Sequence, residues 1–356
     1  AAVAWPLPDL VVMRHALSLP DSRHVVKRWI DAHVDPNKPI AVELYGPVFQ
    51  LGERAMVIWP FFATQSQLAR PTYHPEFLDG IQLHVASGEI SRRFQAEPAK
   101  YPVENAYYSW LRDHATVVWE SKDEKMSGPH IVVRRLPPNI STRARRDSIF
   151  NAAMPVPNHV NRVELWAWDF AKLFARVGDH VRAEEWARRG LEVEVESMEG
   201  PLRNQLAMAL YREGKIDTAE TEMRIAIQKQ PKNPTFRINH ASMLSEMGRL
   251  PGALQEARNA YELSGRDPRV HINIAQVLGQ MGRYDEAVSE LLQVAPGNPQ
   301  RGLALRDAAI LLLNHSDRPD EALDLLRESI QLDPNQEQSD LVRQQIARLE
   351  AVLRRK

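Results

Sequence analysis

Along the second half of the chain, apolar residues fall at helical spacing in short stretches that glycine and proline interrupt at a fixed period. Gly214, Gly248 and Gly282 recur every 34 residues, each after an apolar helical stripe. Equivalent positions repeat around them. One unit holds Leu206-Ala207, Leu210, Ile216, Ala219, Ala226 and Pro231. The next holds His240-Ala241, Leu244, Leu250, Ala253, Ala260 and Pro268. The third holds Ile274-Ala275, Leu278, Tyr284, Ala287, Val294 and Pro299. Small residues in this pattern let the two helices of a hairpin approach closely, the glycine turns the chain, and the proline ends the second helix. Two looser units flank the three: Gly178 with Phe170-Ala171, Ala183 and Ala187, and Ala308-Ala309, Leu312, Ala322, Ser329 and Pro334, with Asp317 in place of glycine. The pattern predicts helix pairs turning at Gly178, Gly214, Gly248, Gly282 and near Asp317, and no strand from Val163 onward. Leu341, Ile346, Leu349 and Leu353 stripe one more amphipathic helix, expected to cap the last apolar face.

Over about Val163 to Pro334 these units resemble tetratricopeptide repeats. The resemblance implies a helical solenoid that holds a protein or peptide partner and does no chemistry. It also implies that the first helix of each pair lines a concave groove, with the sixth and ninth positions pointing into it. Here those positions are Gln205 and Met208, Asn239 and Ser242, and Asn273 and Gln276; Tyr211, Arg212, Glu246 and Gln280 lie further round. The expected partner-binding set is Gln205, Met208, Tyr211, Asn239, Ser242, Asn273 and Gln276. Two readings of it stand: a mixed polar groove that grips an extended peptide or a helix through side-chain amides, or a solvated inner face. These positions lack the lysine and arginine cluster that clamps a terminal carboxylate.

Residues 21–137 have a different pattern. Asp21-Ser22 caps a helix striped by Val25, Val26, Trp29, Ile30 and His33, which Asp35-Pro36-Asn37 breaks. Ile40 to Leu44, Ala55 to Trp59, Ile81 to Val85, Thr116 to Trp119 and His130 to Leu136 read as strands, the last two joined by a charged turn at Ser121 to Gly128. A helix from about Val103 to His114 carries Ala106, Tyr107, Trp110 and Leu111. Strands alternating with helices predict a small α/β layer domain. Residues 138–162, with little periodicity, read as a linker, 1–20 as an N-terminal extension and 335–356 as the capping helix. The fold class expected is therefore α+β in two domains: a small α/β layer domain, then an all-α tetratricopeptide solenoid of about five repeats with a C-terminal capping helix.

A second resemblance rests on order and spacing. Asp21-Ser22-Arg23, Trp29-Ile30 and Glu43-Leu44-Tyr45-Gly46-Pro47 come first. Ser91-Arg92-Arg93-Phe94, Glu97-Pro98, Tyr101-Pro102, Tyr107-Tyr108 and Gly128 to Pro137 follow. Together they resemble the soluble segment after the last membrane helix of bacterial membrane glycosyltransferases similar to dolichyl-phosphate-mannose-protein mannosyltransferases. His84-Val85-Ala86-Ser87 departs from it, standing where relatives often show a tyrosine and paired serines. The resemblance implies an extracytoplasmic domain of an enzyme that takes sugar from a lipid-phosphate carrier, with catalytic carboxylates in loops between membrane helices that this chain does not contain. Ala1 to Trp5 then reads either as the edge of a membrane span or as a frayed terminus.

Composition narrows the chemistry. The chain has 356 residues, net charge −1 and no cysteine, so disulfides, thiolate metal sites and cysteine nucleophiles are excluded, and nothing pulls it globally toward nucleic acid. It contains no His-Glu-x-x-His run, glycine-rich phosphate loop or Gly-x-Ser-x-Gly elbow. No catalytic, metal or cofactor site is expected. A lesser alternative is that Glu43, His84 and His130, all on predicted strands, meet at one sheet edge. Trp29, Tyr45, Trp59, Tyr107, Tyr108, Trp110 and Trp119 read as core or as a sugar-stacking platform. Arg134, Arg135, Arg143, Arg145 and Arg146 read as a solvated charge run or as a patch for lipid phosphates near a membrane, worth about 1 kcal/mol each. Functionally, the expectation is a non-catalytic extracytoplasmic region of a glycosyltransferase-like protein whose solenoid recruits a protein partner. The alternative is a stand-alone adaptor or scaffold, which would also suit the cytoplasm.

Overall fold

The computed structural model describes residues 20–43, 46–49, 53–58, 73–121, 126–153, 163–193, 195–264, 267–334 and 339–354. The chain divides into two compact units, Ala1–Lys215 and Ile216–Lys356.

The first unit holds a five-stranded mixed sheet. Its strands are β1 (Ile40–Val42), β2 (Met56–Ile58), β3 (Leu83–Ser87), β4 (Thr116–Glu120) and β5 (Ile131–Arg135), in the order β2-β1-β3-β5-β4. β2, β1 and β3 run parallel, while β5 is antiparallel to both β3 and β4. β1 and β3 are buried along their whole length, as parallel strands covered on both faces must be, whereas edge strand β4 is largely exposed. Helix α1 (Ser22–His33) starts where the Asp21 carboxylate accepts the Arg23 backbone N–H at 2.8 Å. Its Val26 and Ile30 pack, with Val34, on Ile40, Val42, Leu83, Val85, Ile131 and Val133.

Alternation along the strands turns His84 and Ala86 to the opposite face. The sheet register sets Ala41 beside His84, and His84 beside Arg134. Helix α3 (Pro102–His114) supplies the buried residues Tyr107, Tyr108 and Leu111. A 3-10 turn at Pro75–Leu78 and helix α2 (Gly88–Gln95) escaped the sequence reading. α2 is only two turns long and opens on glycine, too short to register. Helix α4 (Arg143–Ala153) lies inside the segment expected as linker. The strand ends at Leu44 and Trp59, Tyr45, the turn at 122–125 and Ala1 to Trp5 lie outside the described residues.

From Val163 onward every described regular element is helical: α5 (Val163–Arg176), α6 (His180–Leu191) and α7 (Glu196–Arg212) in the first unit, then α8 (Ile216–Lys229), α9 (Pro234–Glu246), α10 (Leu250–Ser264), α11 (Pro268–Gln280), α12 (Tyr284–Leu292), α13 (Arg301–His315), α14 (Pro319–Leu332) and α15 (Ser339–Leu353) in the second. Breaks fall at all five predicted turns. At Gly178, Gly214, Gly248 and Gly282 φ is 81°, 80°, 73° and 76°, the left-handed conformation that costs glycine nothing. The residue after each glycine donates to a carbonyl five positions back, as Arg249 N does to Leu244 O at 2.8 Å, closing the helix end. No atom lies within 4 Å of where a Cβ on these four glycines would sit, so conformation and not space demands them. The last turn has no glycine; there Ser316 donates its N–H and its hydroxyl to Leu312 O at 3.0 and 2.8 Å.

Ala183, Ala219, Ala253, Ala287 and Ala322 each lie fully buried on the second helix of a pair, at one repeated position. Ala253→Leu would force a side chain into the closely packed α9–α10 hairpin. The expected result is a loss of about 1–3 kcal/mol; a thermal melt indistinguishable from wild type would contradict this packing.

Within the first unit, the α5–α6 pair is welded to the sheet domain. Trp186 stacks on Phe170 at 4.6 Å between ring centroids and meets Phe77 at 5.5 Å. Beside it lies a buried ionic chain. Asp79 Oδ2 accepts from Arg146 at 2.9 Å and from Arg182 at 2.7 Å. Arg146 grips Glu185 with two hydrogen bonds of 2.7 and 2.9 Å, and Arg189 pairs with Glu185 at 2.6 Å and with Asp147 at 2.7 Å. Burial pushes the Glu185 carboxyl up, but hydrogen bonds from Arg146 and the charges of Arg189 and Arg146 outweigh it and hold it below the ordinary carboxylate range.

Candidate functional site

In the second unit, equivalent repeat positions recur on successive first helices. Asn239 and Ser242 lie on α9, Asn273 and Gln276 on α11, and Asp307 and Ile310 on α13. Asn239 and Ser242 are half-buried, and Gln276 is exposed. Asn273 is only 6% exposed and spends its amide on the neighbouring helix, Nδ2 donating to Ser242 Oγ at 2.8 Å. Ser245 Oγ likewise donates to Gln280 Oε1 at 2.9 Å. Two of the predicted groove residues, Ser242 and Asn273, are thus bonded to each other across adjacent first helices. The Asn273 Oδ1 lone pairs stay buried without a hydrogen bond among the described residues. In the first unit, Gln205, Met208 and Tyr211 lie half-buried on α7.

A pocket of about 450 Å³ lies between α11, α12 and α13, lined among others by Ile272, Gln276, Gly279, Gln280, Asp307 and Ile310. Tyr284 and His315, also lining it, stack at 3.6 Å with 5° between ring planes. Burial pushes the Asp307 carboxyl up, opposed by the charge and hydrogen bond of neighbouring Arg306 at 3.2 Å. A smaller concavity of about 200 Å³ follows, sharing Ile310 and adding Arg306, Val342 and Arg348. Sequence reasoning missed Asp307 and Ile310. They are the sixth and ninth positions of the fifth unit, bracketing Ala308-Ala309, so the register already read from the sequence could have named them.

In the sheet domain Glu43 and His84 do meet, but inside the protein. Glu43 Oε2 accepts the Ser87 N–H at 2.8 Å, Oε1 accepts the Tyr108 hydroxyl at 2.8 Å, and Tyr107 Oη lies 3.0 Å from His84 Nε2. Glu43 and His84 lie 3.4 Å apart, the spacing of an ion pair. Yet burial pushes the Glu43 carboxyl up to about 8 and the His84 imidazole down to about 3. Desolvation wins over attraction, and near pH 7 both are neutral. His130 is elsewhere, 3.0 Å from Glu120 on the exposed edge, so the three groups do not assemble at one sheet edge. Tyr107 and Tyr108 are core, while Trp29 and Trp110 are half-buried and stacked on His33 and His114. The arginine run is largely engaged: Arg146 in the buried chain, Arg145 with Glu76 at 3.3 Å, Arg143 with Asp147 at 3.8 Å. Among the described residues, no group of histidine and carboxylate side chains has a metal-binding arrangement.

Two tetratricopeptide repeat family models match residues 204–268 and 244–309. The C-terminal half carries tetratricopeptide repeats. Similar solved structures include the thermophilic tetratricopeptide protein TTC0263 of Thermus thermophilus, at 18% identity and a TM-score of 0.42 over 53% of this chain and 99% of that one. YrrB, a tetratricopeptide protein described as having an unusual peptide-binding site, is 19% identical with a TM-score of 0.40 over 54% and 98%. Yeast Tom70 is 19% identical with a TM-score of 0.47 over 61% and 45%. No curated protein sequence matches the chain. The matched residues include Gln205, Asn239, Asn273 and Asp307.

Proposed function

We propose that this chain is a protein-interaction module that captures an extended peptide segment along the first helices of its tetratricopeptide repeats. The observation that carries the reading is the row of equivalent side chains on α9, α11 and α13 ending in a 450 Å³ pocket with mixed amide, carboxylate and apolar lining. We further read the sheet domain as the extracytoplasmic part of a lipid-linked-sugar glycosyltransferase-like protein, lying on the periplasmic side of the cytoplasmic membrane, itself non-catalytic and lent to the enzyme for partner recruitment. Its support is the ordered set of sequence motifs from Asp21 to Pro137. The full burial of Glu43 and His84 supports a structural role for them. Among the described residues no helix is long and apolar enough to cross a membrane. The competing reading is a stand-alone adaptor; about a dozen hydrophobic spans encoded upstream in the same reading frame would decide between the two.

The groove is tested by capture from cell-envelope extract with wild type and with Asn239→Ala/Gln276→Ala. Each neutral hydrogen bond lost should cost about 0.5–1.5 kcal/mol. The double variant should therefore release its partner at roughly one to two orders of magnitude weaker affinity while melting like wild type. Partners that stay bound at full affinity, or that bind a fragment lacking the repeats, would place recognition outside the groove.

A further inference from the structure

Resting on the groove reading above, we infer that the pocket between α11, α12 and α13 is a lysine site. It takes the side chain of one lysine in an extended peptide, with the aliphatic stem against Ile272, Ile310 and Leu311 and the ammonium on the Asp307 carboxylate.

Charge and shape carry this. Among the described residues Asp307 is the one acid lining the pocket, and no lysine or arginine lines it. Arg306, the preceding residue on α13, donates to Asp307 twice, at 3.2 Å, and both bonds go to Oδ1. Consecutive residues do not face each other on a helix, which keeps these bonds long and on one oxygen. Oδ2 accepts no hydrogen bond among the described residues. The Asp307 side chain remains 36% exposed, so a ligand can reach that oxygen. Burial still holds its carboxyl above the ordinary carboxylate range, so the Arg306 bonds do not offset its desolvation. Around this acid the walls are apolar. Gly279 leaves one wall open, since a Cβ there would meet only Leu311 Cδ2, at 3.9 Å. The cavity of about 450 Å³ admits a long side chain. Lysine lays its methylene stem along apolar surface and keeps its charge at a polar end.

The free acceptor decides which side chain fits. Any group that fills the pocket takes water away from Asp307 Oδ2. An apolar group would strand that oxygen, and an acid would repel it. An arginine fork is matched by two carboxylate oxygens, and Oδ1 is already taken by Arg306. An ammonium is a compact point charge that can bond Oδ2 alone. Its other donors can turn to the exposed Gln276 amide, which also lines the pocket.

The test uses the full chain and peptides of a neutral serine–alanine sequence, capped with fluorescein at the N-terminus and amidated at the C-terminus. One central residue varies: lysine, acetyl-lysine, norleucine, arginine or glutamate. Fluorescence anisotropy should show the lysine peptide binding at least ten-fold tighter than the acetyl-lysine, norleucine and glutamate peptides, and tighter than the arginine peptide. Asp307→Asn keeps an oxygen for Arg306 and should bring lysine and norleucine to equal affinity. Gly279→Leu fills the open space and should abolish binding of the lysine peptide. Both variants should melt like wild type, and the wild-type peptide series decides the chemistry even if one of them melts early. No binding of the lysine peptide, equal binding of lysine and acetyl-lysine, or arginine at or above lysine would each overturn the inference. So would a lysine preference kept in Asp307→Asn, or full affinity in Gly279→Leu. If the peptides bind without regard to the central residue while capture still depends on Asn239 and Gln276, the groove reading survives and only the lysine site falls.

Discussion

Arg146→Ala should destabilise the first unit by about 3–5 kcal/mol, the usual consequence of leaving buried carboxylates without their counter-ion. Arg146 is 5% exposed and neutralises two acids at once, Asp79 and Glu185, which are 3% exposed each. Arg182 still reaches Asp79 and Arg189 still reaches Glu185, so the loss is partial at each acid but falls on both. Arg146→Lys should recover little, because an ammonium cannot make the two parallel bonds to Glu185. Replacing the acids as well, in Asp79→Asn/Arg146→Met/Glu185→Gln, should restore much of the stability, since no charge is then left buried and unpaired. Urea titration followed by tryptophan fluorescence reads the change, with Trp186 beneath the Arg189 guanidinium at 4.8 Å as a local reporter. An unshifted transition in Arg146→Ala would mean that the ionic chain does not hold the α5–α6 pair to the sheet domain.

The second large effect is a pH dependence centred on Glu43 and His84. Glu43 titrates near 4.5 when unfolded and near 8 when folded. Between those values the folded state keeps a proton the unfolded chain has released, so rising pH destabilises. His84 titrates near 6.5 unfolded and near 3 folded, so in that window the folded state binds fewer protons and rising pH stabilises. The two oppose each other from about pH 4.5 to 6.5. From 6.5 to 8 Glu43 acts alone, and stability should fall by about 2 kcal/mol at about 1.4 kcal/mol per pH unit. Glu43→Gln keeps an acceptor for the Ser87 N–H and cannot ionise, so its stability should be flat across that interval and should exceed wild type above pH 8. Parallel pH series of urea unfolding for the two proteins measure the difference. Equal slopes between pH 6.5 and 8 would show that Glu43 is ionised in the folded protein.

What could be read from the sequence depended on the range of the forces involved. The hairpin turns at Gly178, Gly214, Gly248 and Gly282 were legible because a left-handed residue after an apolar helical stripe is a local demand, repeated at one period. The buried alanines at Ala219, Ala253 and Ala287 were legible for the same reason. Helix α1 and all five strands stood out through a cap, a break or a dense apolar run. The segment 143–153 did not: its charges looked like solvated linker because the acids that pair with Arg146, Asp79 and Glu185, lie 67 and 39 residues away in sequence.

The same division runs through the functional surface. Repeat position alone nominated Asn239, Ser242, Asn273 and Gln276. Only the packing of α9 on α11 showed that Asn273 turns its amide to Ser242, and only the approach of α13 to α11 opened a pocket over Gly279 and brought in Asp307 and Ile310. Sequence likewise placed Glu43 and His84 on strands, but their depth, and hence their neutrality, came from α3 closing over that face of the sheet. Local conformation and periodic burial are properties of a few consecutive side chains, so the sequence by itself determined the repeats and their turns. Desolvation, ion-pair partners and cavity shape depend on segments distant in the chain, and those only the tertiary structure decided.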